Sequence, residues 1–160
     1  MWLTLVHILI NIKARATKSP AWFKIAHLSF ETALVSNVFV VIFYWTFIHF
    51  QTIHLEKSDC RFYHYYTTHS LPFLSIILIF LTTEIKLVSN HYPMPLLFSV
   101  VYLLFNFTYV KVFGNPQLYW FLSWDNWVSY AISAGILILF LLLWFGIIKI
   151  VKEYNHLKWI

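Results

Sequence analysis

The chain has 160 residues, of which 61 % are apolar and 21 % aromatic, with only 11 % charged and a formal charge of +5. A soluble domain carries about a quarter of its residues as charges, so this composition excludes a water-facing globule and requires lipid as the solvent. The basic residues gather at the ends of apolar runs and form no aromatic-interleaved groove, which excludes nucleic acid as a partner. The lone cysteine, Cys60, excludes an intramolecular disulfide and a multi-thiolate metal site.

Residues 1–12 open the chain as an apolar run too short to cross a bilayer alone, because a helical crossing needs about twenty residues. The charges Lys13, Arg15, Lys18 and Lys24 follow this run, whereas a cleaved leader carries its charges in front. The run reads as a half-membrane or interfacial helix packed against neighbours. Ser19-Pro20 precedes a first span over residues 25–50, and a second follows at 67–87 with Pro72 one turn inside it, where proline is tolerated. Tyr92-Pro93-Met94-Pro95 separates it from a third span at 96–113, and Gly114-Asn115-Pro116 closes that one. The last span, 127–148, contains no charge. The pattern predicts an all-α fold: a polytopic helical membrane bundle of four transmembrane helices plus a short N-terminal half-helix, in a single domain over residues 1–160.

Four crossings put the 13–24 loop, the 84–95 loop and the C-terminal tail on one side. That side holds Lys13, Arg15, Lys18, Lys24, Lys86, Lys149, Lys152 and Lys158; the other holds Lys57, Arg61 and Lys111. The excess marks the N-terminal loop side as the inner face.

An ionisable group at the centre of a membrane helix costs about 2.5–3.5 kcal/mol on insertion scales, which makes each one a candidate site. His27 and Glu31 stand four residues apart on one helix face, a spacing that suits a structural pair, a contact to another helix, or a proton or ligand site. Asn37 and Asn106 suit hydrogen bonds that tie helices together. Among eight histidines, His49/His54 and His64/His69 are five apart, and no His-x-x-x-His pair occurs. No metal and no cofactor is therefore expected; a bis-histidine haem between His27 and His69 or His91 is the geometric alternative. Tyr63, Tyr65, Tyr66, Trp120, Trp124 and Trp127 fall at the outer span ends, as an interfacial aromatic belt does.

Several blocks, taken in order over residues 22–145, resemble the androgen-induced-protein family of multispan membrane proteins and, more loosely, the rolling stone proteins. They are FVVIFYW at Phe39–Trp45, THSLPF at Thr68–Phe73, TEIKLVSNHYP with Glu84 nine residues before Pro93, and Gly114 followed by LYWFL at Leu118–Leu122. The resemblance implies an intramembrane threonine hydrolase of fatty-acid esters, in which a weak hydroxyl nucleophile is activated by a histidine base. Trp2-Leu3-Thr4 matches the nucleophile helix and places Thr4 as nucleophile. Counting back from Leu71-Pro72-Phe73 without a gap puts Thr67 where the family has its base; the nearest histidines are His64 and His69, and a two-residue shift restores His69. The family's first span and much of its second have no counterpart, and Trp120 stands where proline is usual.

These departures favour a relative that keeps the bundle and has lost the chemistry. The expected function is a non-catalytic accessory subunit of a larger membrane assembly, a hetero-oligomer with lipid-binding grooves, with a respiratory complex of the mitochondrial inner membrane as the favoured setting and the endoplasmic reticulum or plasma membrane as alternatives. The competing expectation is the hydrolase, with Thr4 and His69 as its catalytic pair. His27, Glu31 and His64 are the candidate binding residues.

Overall fold

The structure, a computed structural model, describes residues 2–49, 59–83, 85–117 and 119–157. Phe50, His54, Lys57, Glu84, Leu118 and Lys158, which entered the span limits, histidine spacing, charge count or family resemblance, lie outside the described residues. Among the described residues there are five α-helices and no strand: α1 (Trp2–Thr17), α2 (Pro20–Phe43), α3 (Asp59–Thr82), α4 (Pro93–Phe107) and α5 (Trp127–Leu157). Counted with the short π- and 3₁₀-turns that extend two of them, four segments are long and apolar enough to cross a membrane, at Pro20–Ile48, Tyr63–Thr82, Ser89–Val112 and Trp127–Glu153. The protein is thus an all-helical, multi-pass membrane protein. The chain forms two compact units, Met1–Leu87 and Val88–Ile160.

In the first unit α2 is the central helix, packed by both α1 and α3. The loop expected at 13–24 shrinks to Lys18-Ser19, because α1 continues through Thr17 and α2 starts at Pro20. Neither glycine nor proline interrupts Asn11–Thr17, so nothing local stops the helix where its apolar run ends. Lys18 makes the reversal in the left-handed conformation, φ 50°, with its N–H bonded to the Ala14 carbonyl at 2.9 Å, the usual one-residue way of closing a helix C-terminus. Pro20 then opens α2 in its first turn, where a missing N–H costs nothing.

The tight turn lays α1 antiparallel on α2. Thr4, His7 and Ala14 are buried on one face of α1, while Leu5, Val6, Ile8, Leu9 and Ile12 are exposed on the other. On α2 the buried set includes Ala26, Phe30, Ala33 and Asn37, and Phe30 also stacks on Phe80 of α3 with ring centroids 6.3 Å apart. After Phe43, α2 widens into a π-turn over Tyr44–Ile48. Pro72 is not one turn inside its helix as expected: α3 begins at Asp59, so the proline is interior. Its missing N–H leaves the Thr68 carbonyl without the ordinary helical donor.

In the second unit a 3₁₀-turn, Ser89–His91, leads into α4, which ends in a π-turn over Thr108–Val112. Gly114 turns the chain with φ 64°, and the loop returns to α5 around one residue, Trp124. This tryptophan is buried rather than part of an interfacial belt. Its Nε1–H donates to Asn106 Oδ1 at 2.8 Å, and its backbone N–H donates to Ser129 Oγ at 3.0 Å. Its ring meets Phe107 and Tyr130 edge to face, each at 5.4 Å. These contacts hold Trp124 at φ 61°, a left-handed conformation that a bulky residue adopts only when its surroundings over-determine it. Trp120 and Trp127 are exposed, as belt residues should be. Trp144 of α5 donates its Nε1–H to the Ser89 carbonyl at 3.2 Å, tying the entry turn to the last helix.

Candidate functional site

Several polar groups of the first unit lie in the seam between α1 and α2. Asn37 donates from Nδ2 to the Ala33 carbonyl at 2.7 Å and to Thr4 Oγ1 at 3.1 Å. A carbonyl oxygen only accepts, so the amide group facing Ala33 is the NH₂, and both its hydrogens are accounted for. Thr4, buried, therefore serves as acceptor and keeps its own O–H to donate.

One turn along the same face, His7 is 2 % exposed. Its Nδ1 lies 3.0 Å from Ser29 Oγ, and the Ser29 hydroxyl donates to the Ala26 carbonyl at 2.9 Å. With that proton committed, Ser29 accepts from His7, so Nδ1 carries the imidazole hydrogen and Nε2 of the neutral ring is a bare acceptor. Nε2 is buried and has no hydrogen-bond partner among the described residues. The ring edge rests against Phe30, with centroids 5.3 Å apart and planes at 61°. Ser36 is a third open group: Thr32, Ser99 and Ser133 all bond back to the carbonyl four residues earlier, but buried Ser36 Oγ has no such partner.

His27 Nε2 and Glu31 Oε1 are 3.0 Å apart, the i, i+4 pair expected, with Glu31 fully buried and His27 partly exposed. The contact is close without the alignment of a hydrogen bond.

His69 lies elsewhere in the unit. Its ring is stacked on Tyr44, centroids 4.1 Å apart and planes within 12°, with Tyr65 nearly parallel at 6.4 Å. Trp45 contacts His49 at 4.5 Å and Tyr66 at 4.8 Å, and the Tyr66 hydroxyl is 3.4 Å from His49 Nε2. The π-turn at Tyr44 thus opens onto an aromatic and histidine cluster, a common setting for such turns. His64 is exposed; its ring meets Tyr65 at 6.3 Å, and its carbonyl accepts from the hydroxyls of Thr67 and Thr68.

The structure therefore joins His27 to Glu31 and leaves Thr4 and His69 unjoined. Thr4 is held by Asn37 and His69 by Tyr44, positions two turns apart on α2, roughly 10 Å along its axis. The seam residues His7, Ser29 and Ser36 are absent from the sequence-based candidates. The available signal was the spacing of Thr4, His7 and Ala14, which puts polar groups on the buried side of a helix whose apolar residues face out. No family model, curated protein or solved structure matches this chain.

Proposed function

We propose that the protein is a non-catalytic accessory subunit of a larger membrane assembly, with lipid held against its helices. The observation that carries this reading is the separation of the two groups a hydrolase would use. The Thr4 hydroxyl takes its hydrogen bond from Asn37, and the His69 ring is committed to a face-to-face stack with Tyr44. A nucleophile and base must lie within hydrogen-bond reach for proton transfer, and catalytic rate depends on that orientation. The resemblance to the androgen-induced-protein family then reflects a shared bundle without its chemistry.

The outward face of α3 supports the subunit role. Leu71, Leu74, Leu78 and Leu81 are each 55–69 % exposed and follow a 3-4-3 spacing. Lipid accepts leucine at any spacing, but this one forms the ridge that packs into the grooves of a facing helix. The occupant is a helix of a different subunit. The chain's small size and apolar character favour a respiratory assembly of the mitochondrial inner membrane.

Purification of the native protein in mild detergent tests this directly. It is expected to migrate with a fixed set of partner subunits, and L71S/L78S should release it while its helix content is retained. Migration as a lone monomer in every mild detergent overturns the reading, as does hydrolysis of fatty-acid esters that both Thr4→Ala and His69→Ala abolish.

A further inference from the structure

We propose that the turn joining α1 to α2 is a binding surface for anionic phospholipid headgroups, formed by Lys13, Arg15, Lys18 and Lys24. This rests on the lipid-holding part of the function proposed above and gives it a place and a lipid class. Every lysine and arginine of residues 1–56 falls between 13 and 24, and no aspartate or glutamate precedes Glu31. All four basic residues are exposed. Glu31 is fully buried beside His27, so the positive charge at the surface is left uncompensated by this part of the chain.

The fold brings these residues to one level of the membrane. The antiparallel helices are joined by Lys18-Ser19 alone, so residues 13–17 and 20–24 all lie within about 7 Å of the turn along the helix axes. Packed helices stand about 8–10 Å apart, close to the screening length of about 8 Å at physiological salt. Lys13 and Arg15 flank buried Ala14, and the charges act together although they ring the turn instead of converging on a point. Lys13 also bridges the two helices, its Nζ 5.4 Å from the centre of the Trp22 ring, a cation–π contact. The neighbours mark the depth of lipid headgroups. Tryptophan concentrates at the membrane interface, exposed Ile12, Phe23 and Ile25 adjoin the charges, and α2 carries no further lysine or arginine after Lys24. A water-soluble acidic partner has no use for apolar groups at that border, whereas a lipid meets the charges with its phosphate and the apolar groups with its acyl chains. A zwitterionic headgroup balances its own phosphate, so the net attraction is to anionic lipid, and four clustered basic residues beside a span are the pattern of such recognition. Closing the hairpin crowds like charges at the turn, which favours an anionic neighbour further.

The test uses the full chain in nanodiscs of phosphatidylcholine with a minor share of phosphatidylglycerol, and spin-labelled forms of the two lipids report which one the protein holds. Phosphatidylglycerol is expected to be preferred about fivefold, the worth of one fully engaged basic residue at an anionic surface, and the preference should fall in high salt. K13Q/K18Q should remove most of it, and K13R/K18R, which keeps the charge, should retain it. K149Q/K152Q takes the same number of charges from the end of α5, where Glu153 follows, and should change it much less. An equal loss from the two lysine pairs would assign the preference to net charge and overturn the site. Glutamine at a span end also disturbs insertion in some proteins, so the wild-type chain supplies a second reading. Amine acylation followed by mass spectrometry should find Lys13, Lys18 and Lys24 several-fold slower to react in the mixed discs than in pure phosphatidylcholine, with Lys149 and Lys152 slowed less. Equal association of the two lipids, or reactivity at the turn indifferent to phosphatidylglycerol, would overturn the site and leave its charges to an acidic segment of a partner. No other subunit is present in the nanodisc, so failure here leaves the subunit reading standing, and a monomeric native protein leaves this surface standing.

Discussion

Both units bury polar side chains at the junction of two segments, but they complete them differently. Around Trp124 the indole N–H, the backbone N–H and the Ser129 hydroxyl all have partners, and Asn106 Nδ2 is the exception. In the α1–α2 seam the bonds fix orientation and then leave His7 Nε2 and Ser36 Oγ without a partner among the described residues, with a donor to spare on Thr4. A buried polar group left unpaired costs about 1–3 kcal/mol. A polar group bonded within the chain serves the fold better than one left open.

The comparison is broken most sharply by removing one polar group from each region. Asn106→Ala deprives the buried Trp124 indole of its acceptor and loosens the contacts that hold φ at 61°. A loss of about 2–3 kcal/mol is expected, read from the steric-trap unfolding of the protein in bicelles together with a change in tryptophan fluorescence. His7→Leu removes a group with one satisfied and one open nitrogen, and Ser29 retains its bond to Ala26. Its effect should stay below about 1 kcal/mol, because replacing an unsatisfied polar group by an apolar one of similar shape is close to neutral. Equal costs for the two substitutions would mean that the seam is as closed as the loop.

Thr4→Val sharpens the same contrast at smaller scale. It removes the acceptor of Asn37 Nδ2 and should cost about 1 kcal/mol, the usual range for a hydrogen bond between membrane helices. Ester turnover, measured in parallel, should be as low as in the parent chain. Lys18→Gly has the opposite sign. Glycine takes the left-handed conformation freely, whereas Lys18 at φ 50° carries its strain. The greater freedom of glycine in the unfolded chain offsets part of the gain, so the net stabilisation should be a few tenths of a kcal/mol up to about 1. A destabilised Lys18→Gly protein would show that the lysine side chain does more at the turn than tolerate it.

Helix number and type were legible because length and apolarity alone decide what lipid will accept, and the four long spans follow. The ends were less so. Arg15 and Lys13 suggested a loop, yet charge does not stop a helix that leaves the apolar layer, and α1 runs on to Thr17. Trp124 looked like its neighbours Trp120 and Trp127 in sequence, and only the tertiary contact with Asn106 separates a buried tryptophan from a belt one. The pair His27–Glu31 was legible from its spacing because both residues belong to one helix. His7 with Ser29 and Thr4 with Asn37 were not, since each joins two helices whose register is set by a two-residue turn, and Ser19-Pro20 marked the break without fixing its length.

The smallest expected effect lies at the rim of the second unit, where Lys111 and Asp125 form an ion pair. The hydrogen bond from Lys111, reinforced by its charge, lowers the Asp125 pKa from the usual 3.8. A carboxyl whose pKa is depressed by folding binds protons more weakly in the native state than in the unfolded one, so stability rises with pH through the interval between the two values. The contribution is fully present above about pH 4, the range of an unperturbed aspartate, and is lost as the pH falls through the lower, folded value. Asp125 is well exposed, so solvent and salt screen the pair, and Asp125→Asn should flatten this part of the pH profile at low ionic strength while leaving stability at neutral pH almost unchanged. A large loss at neutral pH in high salt would place Asp125 with the closed network around Trp124 and remove it from the solvent-screened rim.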